Sequence, residues 1–243
     1  MIGIFSIVLG CQGIPEIAAK VHYERGEQLA DEGDFNQAIA EFNLARKDDN
    51  VKVLAYSGMV RAYYNQGDYD QALKICDEAL KRQPENYYIY NLKARIYLVR
   101  GDLDTAMELC KASMDIFKVN SSAYAIRAMI YYEMQDYPKV LEDCQTAMRL
   151  NPNDALAYNV RGRLEMKAAQ ADIRELDKAI ADYTRSIELQ PGDPKIYWNR
   201  AIAYSQKGDL ASAAADLRMI ISLTRDPELV RKAELFLEEI NAP

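Results

Sequence analysis

The sequence repeats itself every 34 residues, and no other feature constrains the fold as strongly. Counting from Ala19 gives six units, which cover residues 19–52, 53–86, 87–120, 121–154, 155–193 and 194–227. Only the fifth unit departs from the period, by five extra residues. A position within a unit is called its place, numbered from 1 to 34. A period of this length is typical of arrays in which each unit packs only against its neighbours.

Side-chain size follows the period. The fourth place holds a large residue in every unit: His22, Tyr56, Tyr90, Tyr124, Tyr158 and Tyr197. The eighth place is small in most units: Gly26, Ala94, Ala128, Gly162 and Ala201. A Gly-Asp pair follows at residues 33–34, 67–68, 101–102 and 208–209, where glycine permits a positive φ and aspartate can cap a helix. Each unit is therefore predicted to be a hairpin of two closely packed helices.

This pattern resembles that of the tetratricopeptide repeat family, over residues 19–227. The resemblance rests on the large fourth place, the small eighth place, the Gly-Asp turn, an alanine at place 20 and a proline near place 32. It implies an all-α solenoid, a right-handed superhelix of helical hairpins. We expect residues 228–243 to form a capping helix and residues 1–18 to form a separate apolar N-terminal segment.

A few units depart from the pattern. Gln135 stands in place of the turn glycine in the fourth unit, and Val60 and Val140 replace small residues. We expect Gln135 to adopt a left-handed conformation at a cost of about 1 kcal/mol. Pro138, at the first turn of the following helix, offsets part of that cost.

Composition and residue content argue against several functional classes. The 243 residues are 49% hydrophobic and 28% charged, which suffices for one continuous core. The formal net charge of −7, with no basic run, argues against nucleic-acid binding. His22, the only histidine, lies at an aromatic core place, and no nucleophile has a base at a diagnostic spacing. We therefore expect no enzymatic activity and no cofactor.

Three cysteines share one place of the repeat. Cys76, Cys110 and Cys144 lie at place 24, where the other units have Phe42, Tyr183 and Leu217. Equivalent Cα atoms of stacked hairpins lie about 10 Å apart, farther than a disulfide allows. The cysteines are predicted to be buried thiols, not metal ligands or disulfide partners.

Most arginines at place 7 have an acidic counterpart at place 23. The matched pairs are Arg25 with Glu41, Arg127 with Asp143, Arg161 with Asp182, and Arg200 with Asp216. In the second unit both places are apolar, with Met59 and Ile75. The pattern predicts an ion pair between the two helices of each of these hairpins.

The family resemblance implies that the first helix of each hairpin lines a concave groove, through places 2, 5, 9, 12 and 13. Arginines at place 9 could donate paired hydrogen bonds to a carboxylate, asparagines could bond a peptide backbone, and aromatic and methionine side chains could supply apolar contact. The predicted peptide-binding residues are Arg61, Tyr64, Tyr88, Asn91, Arg95, Met129, Tyr132, Asn159, Arg163, Met166 and Trp198. In the alternative, these arginines are solvated or pair with Glu27 or Glu133. The acidic-tail clamp of some co-chaperones in the family, which needs Lys and Asn at set places, does not recur here.

The first eleven residues, MIGIFSIVLGC, are almost continuously apolar and resemble a bacterial lipoprotein signal. Cleavage before Cys11 would leave a lipidated N-terminus that tethers the protein to a membrane. The alternative is a helix packed on the first unit. A run this short cannot span a bilayer.

Two functional classes follow. The first is a scaffold that binds an extended or helical peptide with acidic groups in the groove, its partner a protein or peptide. The second is a membrane-tethered lipoprotein subunit of an envelope or secretion assembly, which contacts partners through its convex face or its ends. The tether favours a bacterial membrane location; without it, the sequence favours the cytoplasm.

Overall fold

The computed structural model describes residues 13–224 and 226–241 of the chain. Thirteen helices and no strand occur in this part, as the repeat pattern predicts. The helices form two compact units, one ending at Arg100 and the other beginning at Gly101. This boundary falls within residues 87–120, the predicted third repeat. The division into six repeats remains a prediction.

The first unit contains five helices. They are α1 (Gly13–Asp31), α2 (Phe35–Ala45), α3 (Lys52–Gln66), α4 (Tyr69–Arg82) and α5 (Tyr87–Val99). Each helix packs against the next, and α3 also contacts both α1 and α5. The first helices of successive hairpins therefore lie side by side in this unit.

The second unit contains eight helices. They are α6 (Leu103–Ile116), α7 (Ser121–Glu133), α8 (Tyr137–Leu150), α9 (Ala155–Ala168), α10 (Glu175–Leu189), α11 (Pro194–Lys207), α12 (Leu210–Leu223) and α13 (Pro227–Asn241). Within it, α9 contacts both α7 and α11. The last helix, α13, packs against α12, and its Ala233 is fully buried.

The turns between paired helices have the predicted chemistry. Four turn glycines, Gly33, Gly67, Gly101 and Gly208, have φ between 80° and 86°. In each case the following aspartate accepts a hydrogen bond from a backbone N–H in the first turn of the next helix. Gln135, at the turn-glycine place of the fourth repeat, has φ of 61°, which confirms the left-handed conformation predicted for it.

Aromatic rings in the core are matched by glycines on the facing helices. Phe42 on α2 is fully buried between Gly26 on α1 and Gly58 on α3. An added Cβ on either glycine would lie 2.6 Å from the Phe42 ring. Tyr183 on α10 faces Gly162 on α9 in the same way, at 2.8 Å. Close backbone approach therefore depends on paired large and small residues.

The three cysteines are free and buried, as predicted. Burial raises the pKa of each thiol to about 12, so Cys76, Cys110 and Cys144 stay protonated at neutral pH. They act as small core residues.

The predicted ion pairs between places 7 and 23 are confirmed. Arg127 donates two hydrogen bonds of 2.7 Å to Asp143, whose side chain is only 4% exposed. Arg161 pairs with Asp182, and Arg200 with Asp216, through the same two-nitrogen geometry. Arg25 and Glu41 form a looser pair at 3.5 Å. Met59 and Ile75 are both buried in the core.

The predicted lipid-modification site, Cys11, lies outside the described residues. Within them, no helix combines the length and the apolar character needed to cross a membrane.

Candidate functional site

The predicted binding residues of the first unit lie on α3 and α5, the first helices of two successive hairpins. Together with two neighbouring residues of α1 they form a surface that we call the first-unit face. Its members are Tyr23, Glu27, Arg61, Tyr64, Tyr88 and Arg95. Most of these side chains are partly exposed, and Tyr88 is the most open of the tyrosines, at 40%.

Arg61 is tied to a carboxylate of the preceding first helix. Its Nη2 donates to both oxygens of Glu27, at 2.5 and 2.6 Å. Burial disfavours the guanidinium charge, but the Glu27 carboxylate raises the pKa of Arg61 above its ordinary value. Burial and the same carboxylate raise the pKa of Tyr23, whose hydroxyl is hydrogen-bonded to Glu27. Arg61, Glu27 and Tyr23 therefore form one polar cluster.

Arg95 is held in a different way. Its guanidinium carbon lies 5.3 Å from the centre of the Tyr64 ring, within cation–π distance. The Tyr64 ring is in turn supported edge-on by Tyr69, at 5.6 Å. Within the described residues Arg95 forms no salt bridge. Its N–H groups are therefore not committed to a carboxylate in the described part of the chain.

Asn91 does not lie on this open face. The sequence predicts that it bonds a peptide backbone, but its side chain is only 2% exposed. Packing around α5 covers place 5 in this repeat, so the amide is not accessible to a ligand in this conformation. This burial argues against ligand contact by Asn91, which stays a prediction.

The second unit carries a related surface on α7 and α9, which we call the second-unit face. Its members are Met129, Tyr132, Glu133, Asn159 and Arg163. The Arg163 guanidinium carbon lies 4.2 Å from the centre of the Tyr132 ring, and its Nη2 donates to Glu133 at 3.0 Å. Tyr137 supports the Tyr132 ring edge-on, at 5.9 Å.

Asn159 and Met129 complete the second-unit face. The Asn159 amide oxygen accepts a hydrogen bond from Asn199 on α11, at 3.4 Å. Met129 packs with Tyr132 against a core cluster of α7, α8 and α9, and remains partly exposed. This face therefore combines a stacked arginine, an amide and apolar surface.

Met166 and Trp198 have a mainly structural environment. Both pack against the core of the last hairpins, and the Trp198 ring lies 5.9 Å from the Phe236 ring of α13. The capping helix thus occupies one side of the indole. Both side chains remain partly exposed, and their predicted contact with a ligand stays a prediction.

Two of the three place-9 arginines have carboxylate partners. Arg61 and Arg163 each form a salt bridge, whereas Arg95 forms none within the described residues. The partners are Glu27 and Glu133, as in the alternative set out above. Each partner comes from the preceding first helix and not from within the same hairpin.

The supporting tyrosines were not singled out from the sequence. Tyr69 and Tyr137 lie at place 17 and back the place-12 tyrosines Tyr64 and Tyr132. Only the second and fourth repeats have tyrosine at both places. That coincidence is the signal that could have identified them.

Family models and solved structures agree on the type of repeat. Three tetratricopeptide repeat models match, one at residues 58–118, one at 175–208 and one at 194–227. A thermophilic tetratricopeptide repeat protein of Thermus thermophilus, TTC0263, is similar with a TM-score of 0.63 and 23% identity. That match covers 76% of this chain and 98% of the other.

Two further structures share the fold. The Cut9-Hcn1 hetero-tetramer of the APC/C has a TM-score of 0.67 at 17% identity, over 94% of this chain and 44% of the matched chain. A repeat protein from Parabacteroides merdae ATCC 43184 has a TM-score of 0.51 at 19% identity, over 92% and 89% of the two chains. The chain is therefore a tetratricopeptide repeat protein, whose fold in general supports a protein–protein interaction scaffold.

Proposed function

We propose that this protein is a non-catalytic scaffold that binds an extended or helical peptide segment with acidic groups. The observation that carries the proposal is Arg95, which stacks on Tyr64 and forms no salt bridge within the described residues. A cation–π contact positions a guanidinium beside the ring, and its N–H groups that point away from the ring can donate to a carboxylate. Proteins of this family are typically non-catalytic and bind protein or peptide partners.

Arg163 supports a second contact of the same type. It stacks on Tyr132 and pairs with Glu133, whose side chain is 46% exposed. An exposed pair of this kind contributes at most about 1 kcal/mol, so a ligand carboxylate can displace Glu133 at low cost. Arg61 differs because both Glu27 oxygens are bonded to it, and we assign it a supporting role.

The apolar part of recognition would come from exposed tyrosine and methionine. Tyr88 on the first-unit face offers a large contact area with few rotatable bonds. Met129 on the second-unit face offers a flexible apolar side chain that can adapt to the shape of a ligand. Such residues beside an arginine are typical of interface centres.

A peptide selection tests the proposal. A displayed library of random 12-residue peptides is panned against the full chain, and selected peptides are measured by fluorescence polarisation. Each is compared with a counterpart in which Asp and Glu become Asn and Gln. We expect the acidic form to bind at least about tenfold more tightly, because a charge-assisted hydrogen bond is worth about 1.5–3 kcal/mol. The double variant Arg95→Gln with Arg163→Gln should lose this preference.

Arg218→Gln is the matched control, because Arg218 is exposed on α12, away from both faces. It should retain full binding, and circular dichroism should be the same for all three proteins. Selected peptides without acidic residues, or equal binding by the double variant, would reject the proposal. The tethered envelope subunit remains the alternative prediction, and it concerns residues outside the described part of the chain.

A further inference from the structure

A second charged feature lies in the first unit, away from the first-unit face. A cavity of about 490 Å³, open to solvent, is formed by the last turns of α2 and α4 and the start of α3. Four cations and one carboxylate line it. They are Arg46, Lys47, Lys52, Arg82 and Glu78, together with Tyr56 and Asn43. The lining therefore carries an excess of positive charge on a chain whose net charge is −7.

The repeat itself provides the comparison that makes this cavity unusual. Arg46 is at place 28, where the other repeats have Leu80, Met114, Met148, Ile187 and Ile221. Arg82 is at place 30, where four repeats have Ile116, Leu150, Leu189 and Leu223. Lys52 is at place 34, where the next four repeats have the helix caps Asn86, Asn120, Asp154 and Asp193. Cations thus replace apolar or capping residues at this one junction.

The cations are only partly neutralised by the chain. Glu78 accepts a hydrogen bond from Arg46 at 3.2 Å, and Arg46 also lies over the Tyr56 ring at 5.5 Å. These contacts fix the guanidinium at the wall of the cavity. Lys52 pairs with Asp49, whose side chain is 90% exposed and faces solvent. Such an exposed pair is easily exchanged for another anion.

The remaining two cations have no such partner. Within the part of the chain that the structure describes, Lys47 and Arg82 form no salt bridge, and both side chains are exposed. The N-cap of α3 is Val51, which gives no side-chain hydrogen bond to the first turn. The start of this helix therefore adds unpaired N–H groups to the same region.

We propose that this cavity binds the phosphate group of an anionic ligand. A phosphate carries up to two charges and three acceptor oxygens, which suits two arginines and two lysines lining one cavity next to an open helix start. A single carboxylate would leave more of the positive charge unpaired. The phosphate could belong to a soluble compound or to the headgroup of an anionic lipid, and the chemistry of recognition is the same.

Titration of the full chain tests the site. Pyrophosphate binding is measured by isothermal titration calorimetry at physiological salt, and vesicle binding is measured by sedimentation. The vesicles contain phosphatidylcholine alone or with about one third phosphatidylglycerol. The test variant is Lys47→Gln with Arg82→Gln, which removes two exposed cations that form no salt bridge within the described residues. The control is Arg149→Gln with Lys111→Gln, which removes two exposed cations from the second unit; Arg149 is at the same place of the repeat as Lys47.

We expect the test variant to bind at least one probe tenfold or more weakly than the wild type, and the control to stay within twofold. Loss confined to pyrophosphate assigns a soluble phosphate compound, and loss confined to the phosphatidylglycerol vesicles assigns a lipid headgroup. Absence of binding to both probes, or equal loss in both variants, would overturn the proposal. The apolar N-terminal segment does not confuse the vesicle result, because all three proteins contain it.

Discussion

The Phe42 ring fills the space that any side chain at Gly26 would need. An added Cβ on Gly26 would lie 2.6 Å from Phe42 Cε1, closer than van der Waals contact allows. Phe42 is fully buried, so the ring has no free volume into which it can turn. An added Cβ on Gly58 would lie just as close to the same ring, 2.6 Å from Phe42 Cζ. The packing of α1, α2 and α3 thus depends on two residues without side chains.

Gly26→Ala is therefore expected to destabilise the first unit by about 2 kcal/mol, because overpacking outweighs the better helix propensity of alanine. Urea denaturation followed by circular dichroism measures the change. Gly192→Ala is the control, since a Cβ there meets nothing within 4 Å, and it should change stability by less than about 0.5 kcal/mol. Equal stability of Gly26→Ala and the wild type would contradict the packing argument.

Gln135→Gly is expected to stabilise the second unit. Gln135 has φ of 61°, which costs an L-residue about 1 kcal/mol or more and costs glycine nothing. The greater freedom of glycine in the unfolded chain offsets part of the gain, so we expect up to about 1 kcal/mol. Thermal denaturation measures it. Gln145→Gly, on the exposed side of α8, should lower stability by about 1 kcal/mol instead.

Arg127→Met is expected to cost about 3 kcal/mol. It leaves Asp143 charged, 4% exposed and without its two hydrogen bonds. Replacing both residues, as Arg127→Met with Asp143→Leu, should recover most of the loss, because no unpaired charge remains. A double-mutant cycle in urea separates the two effects. A single variant as stable as the double variant would show that the pair contributes little.

The stability of the second unit should depend on pH through Glu165. Burial, together with the nearby Asp182 carboxylate, raises its pKa from 4.5 to about 7, although Arg161 acts in the opposite direction. Arg161 donates both its short hydrogen bonds to Asp182 and lies 3.9 Å from Glu165. Among the described residues, buried Glu165 Oε2 has no hydrogen-bond partner. The neighbouring charges on α10, Glu175 and Lys178, oppose one another.

The direction of this pH effect follows from proton binding. The folded chain binds the Glu165 proton more tightly than the unfolded chain, so protonation stabilises the fold. This stability is present below about pH 4.5 and is lost as the pH rises to about 7, by about 3 kcal/mol at most. Glu165→Gln should remove this part of the pH dependence, measured as the difference in unfolding free energy between about pH 5 and about pH 8. Glu133→Gln should keep it, and an unchanged profile in Glu165→Gln would refute the assignment.

The sequence predicted the features that the repeat encodes locally. Turn geometry at Gly67 and the pairing of Arg127 with Asp143 depend on residues of one hairpin, and the period places such residues in register. The left-handed conformation of Gln135 was predictable because four other repeats have glycine at the same place. Burial of Cys76 followed for the same reason, since aromatic and aliphatic residues occupy its place elsewhere.

Features that depend on neighbouring hairpins were predicted less well. The repeat pattern predicts that Asn91 and Trp198 lie on the same face of their respective helices, but it does not predict how much of that face the next helix covers. Tight packing around α5 buries Asn91, and α13 covers part of Trp198. The carboxylate partners of Arg61 and Arg163 also lie on another hairpin. Whether such an arginine contacts a carboxylate, solvent or a ligand depends on how far the side chains extend between hairpins, which the repeat pattern does not encode.

The position of Phe42 also bears on how such a chain can be recombined. Its ring on α2 requires glycine on α1, in its own hairpin, and glycine on α3, in the next. A 34-residue module that contains α1 and α2 alone would bring the ring without its second glycine. If this module were placed before a repeat that has a larger residue at the place of Gly58, the Phe42 ring would clash with that residue and the two hairpins could not pack closely. A segment that is grafted or duplicated from this part of the chain should therefore include α1, α2 and α3. Its boundaries differ from those of the 34-residue repeat.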